Sequence, residues 1–237
     1  MSNTSTPLRR FWAEFRENKI AVVALVVVVV LILLALFASL VSPQNPYDLA
    51  NLSLMDSRRP PGFVGTGGYT HILGTDPQGR DLLSAILYGL RISIQIGLAA
   101  GFVSLTIGTT LGILAAYVGG RVEALIMRLV DLQLSFPAIL LALVIVALLG
   151  QGKAQLIGAL VAAQYAYFAR TAYGAAKAER GKDYIEAALA TPLSARLVVW
   201  RHMLPNCTPP LIVVATVQIA NSISLEATLS CLGRGLP

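Results

Sequence analysis

The sequence predicts an all-α, polytopic membrane protein, and three observations carry that expectation. Of its 237 residues, 56% are hydrophobic and 13% charged. That is about half the charged share of a soluble domain, too few charges to coat a soluble globule. Apolar runs near the roughly 20 residues that a helix needs to cross a hydrocarbon core recur along the chain. The Lys and Arg residues behind the net charge of +6 lie in short segments between those runs. A nucleic-acid surface would gather them in one patch with interleaved aromatics, so here they read as a topology signal.

Residues 1–19 form a basic amphipathic segment. Leu8, Phe11, Trp12 and Phe15 fall at helical spacing beside Arg9, Arg10, Arg16 and Lys19, the pattern of a helix lying on a charged membrane surface; a disordered basic tail is the alternative. Residues 20–41 contain no charge and read as the first span, because a cleavable signal has an apolar stretch of only about 7–15 residues. Residues 42–91 are rich in Pro, Gly and Asp and cannot span. Within them, Thr75 or Asp76 is placed to cap a helix that starts at Pro77, which needs no amide hydrogen there, and runs towards Tyr88.

Residues 92–237 form the core, with apolar stretches at 92–118, 134–149, 156–176 and 210–229. Five spans follow. Most Lys and Arg residues, from Arg9 and Lys19 to Arg121, Lys177, Arg196 and Arg201, fall in the segments that share a side with the N-terminus. The positive-inside rule therefore puts the N-terminus in the cytoplasm. Five spans leave the last residues outside, in what reads as a loop, and a further span is expected beyond Pro237.

In the second span Ser93, Gly97, Gly101, Ser104, Gly108 and Gly112 share one helical face. Gly97/Gly101 and Gly108/Gly112 fit the Gly-x-x-x-Gly pattern of close helix packing, although glycine is also simply frequent in membrane helices. Ala159, Ala162, Ala163, Ala166 and Ala169 suggest a second close contact. The spans hold few polar groups: Gln95, Gln164, Tyr165, Tyr167, Gln218, Asn221 and Glu226. An ionisable group in hydrocarbon is costly, so Glu226 faces the bundle interior, water or an external rim. Gln218, Asn221 and Glu226 are candidates for a pathway, with structural hydrogen bonding as the alternative.

No chemistry of its own is visible. Gly181-Lys182 is followed by Asp183 and Gly152-Lys153 by Ala154, so there is no phosphate-cradling loop ending in Gly-Lys-Ser/Thr. His-Glu-x-x-His and Gly-x-Ser-x-Gly are absent, and His71 and His202 fall on opposite sides of the expected membrane. Cys207 and Cys231 lack metal-ligand spacing. These observations point to no enzyme, no cofactor and no metal site, and to a partner as the source of any energy.

The stretch KAERGKDYIEAALATPLSARLVVWRHMLPNCTPP begins at Lys177. It is too polar to span and too patterned for a plain linker. Its run Glu186-Ala187-Ala188, followed by Leu204-Pro205-Asn206, resembles the cytoplasmic signature of bacterial ABC importer permeases. Outside it, FRENKIAVVALVVVVVLILLALFASLVSP, HILGTDPQGRDLLSAILYGLRIS, AAYVGGRVEALIMRLVDLQLSFPAILLAL and LEATLSCLGRGLP are similar to segments of the dipeptide, oligopeptide and nickel importer permeases. The similarity is to the C-type subunit and covers nearly the whole chain.

The resemblance implies a type I permease-like bundle in the bacterial inner membrane, with residues 42–91 periplasmic and a coupling loop at 177–208. It also implies the partners: a homologous permease as heterodimer, two cytoplasmic ATPases and an external substrate-binding protein. Tyr184, Glu186, Ala187, Ala188 and Pro192 would dock the ATPase, supported by Arg201 and His202; an ordinary amphipathic connector is the alternative. Asp76, Gly79, Arg80 and Asp81 would position the periplasmic segment beneath the binding protein, with a plain helix cap as the alternative. The cargo would be di- or oligopeptides, nickel or another small solute. A stand-alone secondary transporter or an intramembrane enzyme would leave the Glu-Ala-Ala loop unexplained. The chain departs from the family at Pro192, where Gly is usual; Pro cannot take the positive φ open to Gly, so the loop turns differently.

Overall fold

A computed structural model describes residues 7–48, 52–185 and 194–233. The chain divides into two compact units, residues 1–94 and 95–237.

In the first unit, α1 (Pro7–Glu17) is amphipathic and α2 (Lys19–Leu36) is apolar on every side. Asn18 separates them, and its side-chain oxygen caps α2 by accepting from the Ala21 amide at 3.2 Å. Only 6% of the apolar window of α2 is buried, so its Val and Leu side chains need a hydrocarbon solvent. A short helix α3 (Ala38–Val41) follows. Next come a 3-10 turn at Leu54–Asp56 and a two-residue hairpin, β1 (Phe63–Val64) and β2 (Thr70–His71), antiparallel with Phe63 opposite His71.

The helix expected from Pro77 instead begins at Leu82, where α4 (Leu82–Val118) starts. Asp76 does not cap it. Its carboxylate accepts from the amides of Gln78 and Arg80 at 2.8 and 2.9 Å and from Arg80 Nε at 2.8 Å, closing a turn that Gly79 completes at φ +78°. Asp81 is the cap: its Oδ2 accepts from the amide and hydroxyl of Ser84, both at 2.7 Å. At 37 residues α4 is about 55 Å long, well beyond the expected 92–118, because Arg91 interrupts the apolar run without interrupting the helix.

In the second unit, α5 (Gly120–Leu134) and α6 (Ala138–Leu149) meet at a 92° bend. Pro137, which has no amide donor, stands at the break. The expected span at 134–149 is therefore a helix of 12 residues, about 18 Å long and too short to cross by itself. The helix α7 (Lys153–Arg180) contains the expected span at 156–176. Then come α8 (Ala195–Val198), a π-helical turn at Val199–Met203 and α9 (Leu204–Cys231). Among the described residues, three helices are long and apolar enough to cross a membrane: α2, α4 and α9. The bent pair α5–α6 makes a fourth if counted as one span. The five spans expected from hydropathy thus meet two departures: the bend, and α7, which is long enough but less apolar. Most alanines of α7 are covered by protein, since it packs against α5, α6 and α9, although Ala162 is only half-buried. Ala159, Ala163, Ala166, Ala169, Ala172 and Ala176 are all buried.

The glycine face of α4 meets two different neighbours. Gly97 and Gly101 lie against the Ile223 and Ile219 side chains, which can yield to an added methyl. Gly108 and Gly112 lie against the main-chain oxygens of Tyr165 and Ala169, which cannot. Gly108→Val is therefore expected to destabilise the bundle by about 1–3 kcal/mol, and Gly97→Ala by much less. Thermal unfolding in detergent compares the two; equal midpoints would refute the distinction.

Candidate functional site: an elbow between two helices and a polar cluster in the bundle

The chain leaves α7 through Gly181, turns at Gly181 and Lys182, and is helical again at Asp183, Tyr184 and Ile185. Ile185 is fully buried, in one apolar cluster with Phe168, Ala172 and Ala176 of α7, Ile113 and Ala116 of α4, and Met203, Cys207 and Leu211 beyond the loop. Residues 186–193, which include Glu186, Ala187, Ala188 and Pro192, lie outside the described residues, as does the His202 side chain. The described ends on either side are thus anchored in the same core. Between them Trp200 is 64% exposed, and Arg201 is exposed as well.

A polar clip joins the two ends. The Tyr184 hydroxyl donates to Glu179 Oε2 and accepts from Asn206 Nδ2 at 2.8 Å, while Lys182 pairs with the other Glu179 oxygen. The hydrogen bond to Glu179 pushes the Tyr184 pKa up, with burial adding to it. The bonds from Lys182 and then Tyr184 hold the Glu179 carboxyl below its usual range. Both shifts favour the bonded form at neutral pH. Sequence reasoning placed Tyr184 in the loop but missed Asn206 as its partner, because the two are 22 residues apart. At the same end of α7, Arg180 donates to the Ala116 carbonyl at 2.6 Å, and Lys177 and Tyr173 reach Glu123 of α5.

Inside the bundle, Gln164, Gln218, Ser222 and Glu226 are buried. Ser222 Oγ lies 2.8 Å from the Gln164 carboxamide and 3.0 Å from the Gln218 carbonyl oxygen. Asn221 Nδ2 donates to Gln218 Oε1 at 3.3 Å, and Ser230 Oγ to Glu226 Oε1 at 2.8 Å. The structure therefore brings together Gln218 and Asn221, and adds Gln164 and Ser222, a pair that helical spacing does not predict. Glu226, four residues after Ser222, is buried on the same face of α9 one turn further along.

In the first unit, Asp76, Gly79, Arg80 and Asp81 share one turn, and the sequence missed its buried partner, His71. His71 Nδ1 lies 3.0 Å from Asp81 Oδ1, with side-chain exposures of 1% and 0%. Asp81 also donates its amide to Gln44 Oε1 at 2.9 Å. Burial would raise the Asp56 carboxyl, but the hydroxyl and amide of Thr66, His71 and Arg59 together hold it below its usual value. Asp76 behaves alike: burial opposes, and the bonds from Arg80 and Gln78 prevail. Such depressed carboxyls contribute stability that is complete above the ordinary value of about 3.9 and is lost as pH falls through the folded-state value. Amide protection over residues 53–81, corrected for the intrinsic pH dependence of exchange, is expected to hold from pH 7 to about 5 and to fall below about 4. Corrected protection that stays unchanged below pH 4 would contradict the assignment.

Residues 108–237 match the family described as binding-protein-dependent transport system inner membrane component. Residues 6–61 match the N-terminal transmembrane domain of oligopeptide transport permease C. The chain belongs to this permease family. Dipeptide transport system permease protein DppC of Escherichia coli is 39% identical over 97% of the chain and 76% of the relative. Di/tripeptide permease DppC of Pseudomonas aeruginosa is 36% identical over 98% and 75%. Glutathione permease GsiD of Pectobacterium atrosepticum is 36% identical over 97% and 74%. The MetNI methionine ABC transporter in inward-facing conformations aligns with TM-score 0.56 and 21% identity, covering 62% of this chain and 74% of that one; this likeness concerns the fold. The permease chain is thus a multi-pass membrane component with an ABC transporter bundle, as expected from the Glu-Ala-Ala loop and the recurrent segments around it.

Proposed function

We propose that the permease chain forms half of the translocation pathway of an ATP-driven, binding-protein-dependent importer of peptides or related small solutes. The observation that carries this reading is similarity to dipeptide and di/tripeptide permeases along 97–98% of the chain. Its partners are a homologous permease, two cytoplasmic ATPases and an external binding protein. The charge bias across the apolar runs supports a cytoplasmic N-terminus in the bacterial inner membrane.

Energy enters through the elbow between α7 and α9. Glu186, Ala187 and Ala188 dock the ATPase, with Tyr184, Arg201 and His202 beside them, and Pro192 sets the exit of the docked segment. Both ends of that segment are rooted in one apolar cluster, so a push on it displaces packed helices and not a slack loop. On the external side, Asp76, Gly79, Arg80 and Asp81 hold the segment that faces the binding protein.

Glu186→Lys is expected to reduce ATPase co-purification and substrate-stimulated hydrolysis, since a reversed charge at a docked position repels what the carboxylate attracted. Unchanged values for both would refute the docking role.

A further inference from the structure

Two faces of α9 differ in chemistry. One borders an apolar cleft of about 550 Å³ shared with α4. The other borders two adjoining cavities of about 270 and 450 Å³ that have Tyr167 and Gln218 in common. The smaller is lined mostly by hydrogen-bonding side chains: Gln164, Tyr167, Gln218, Asn221, Ser224 and Thr228. The larger continues past Val217 and Val213 to Arg170, which is paired with Asp131. From Val213 to Thr228 the groove follows α9 for about 22 Å, most of a hydrocarbon core roughly 30 Å thick.

Asn221, Ser224 and Thr228 are exposed along this strip, and an exposed carboxamide with hydrogen-bonding capacity to spare is unfavourable in hydrocarbon. The strip's polar groups are also held in place. Gln164 and Gln218 are almost fully buried, and Ser222 and Asn221 fix their carboxamides. The lining selects a class of ligand. Carboxamides both donate and accept, as a peptide bond does. A bare divalent cation would need carboxylates, imidazoles or thiolates, and neither cavity is lined by one. An anion would need unpaired cations, and Arg170 already has its carboxylate.

We propose that the α7–α9 groove is one wall of an aqueous passage, and that its amide and hydroxyl strip hydrogen-bonds the main chain of a neutral, peptide-like solute in transit. The inference rests on the permease reading and adds the surface and the chemistry of recognition. Tyr167 and Gln218 line both cavities, and the valines beyond them give the solute an apolar surface to slide over.

The test uses the assembled transporter in liposomes, with the exposed Cys231 replaced by Ser. Asn221→Cys, Ser224→Cys and Thr228→Cys are each treated with a membrane-impermeant methanethiosulfonate; Leu98→Cys and Phe102→Cys, exposed on α4, serve as lipid-facing controls. The three strip positions are expected to react about tenfold faster than the controls, and a neutral dipeptide with its binding protein is expected to slow them. Gln218→Leu is expected to raise the KM for dipeptide uptake about tenfold, as for loss of one or two amide hydrogen bonds. Strip positions no more reactive than the controls would overturn the inference, and so would labelling that the dipeptide leaves unchanged in a complex that imports it; in both cases the permease reading stands. An assembled complex without ATP-dependent uptake would overturn both.

Discussion

Asp81→Ala is expected to destabilise the first unit by about 3–5 kcal/mol, the scale for removing one partner of a buried charged or hydrogen-bonded pair. Three contacts end together. His71 Nδ1, 1% exposed, loses its acceptor, and His71 Nε2 already has no hydrogen-bond partner among the described residues. The Ser84 amide and hydroxyl lose their cap at the start of α4, a loss of about 1 kcal/mol where it occurs alone. Asp81→Asn keeps the shape and an acceptor oxygen and is expected to retain most of the stability. Limited proteolysis between residues 53 and 81 reads the difference: rapid nicking of the Ala variant and slow nicking of the Asn variant. Equal resistance of Asp81→Ala and the parent would show that the pair does not hold the segment.

Asn206→Leu is expected to separate ATP hydrolysis from transport. The substitution breaks the bond to Tyr184 that joins the start of α9 to the turn after α7, while the apolar cluster of Ile185, Met203 and Cys207 keeps the ends folded. A net hydrogen bond contributes only about 0.5–1.5 kcal/mol, so assembly is expected to persist. Uptake per ATP is expected to fall about tenfold, as for about 1.4 kcal/mol of lost coupling. Tyr184→Phe removes the same bond together with that to Glu179 and is expected to act alike, and the double variant to be no worse than either single one. Additive losses, or uptake per ATP equal to the parent's, would show that the clip transmits nothing.

The long apolar runs in α2, α4 and α9 were readable because a charge-free stretch near 20 residues has few uses outside a bilayer. Helix ends were less readable. The apolar run in α4 stops at Arg91, yet the helix starts at Leu82, since its start is set by the Asp81 cap and not by hydropathy. The helix α5 escaped notice because Arg121, Glu123, Arg128 and Asp131 make it look like a connector. The same charges bind it to α7 through Lys177 and Arg170. Among candidate site residues, Gln218 and Asn221 stood out as polar groups in an apolar stretch, whereas Ser222, an ordinary residue in membrane helices, gave no sign of joining them to Gln164. His71 and Asp81 lie ten residues apart, and they meet only because positive-φ turns at Gly74 and Gly79 fold the intervening chain back. Spacing rules for helices and strands do not report such a meeting.

The helix α9 carries Pro209 and Pro210 within its first two turns. Neither can donate to the carbonyls of Pro205 and Asn206, so two rungs of the helical ladder are missing just past the clip. A rod softened near its driven end pivots more readily than it slides. A shove at the base of α9 would then arrive at Gln218 and Thr228 as a swing, sweeping the far part of the rod sideways across the groove.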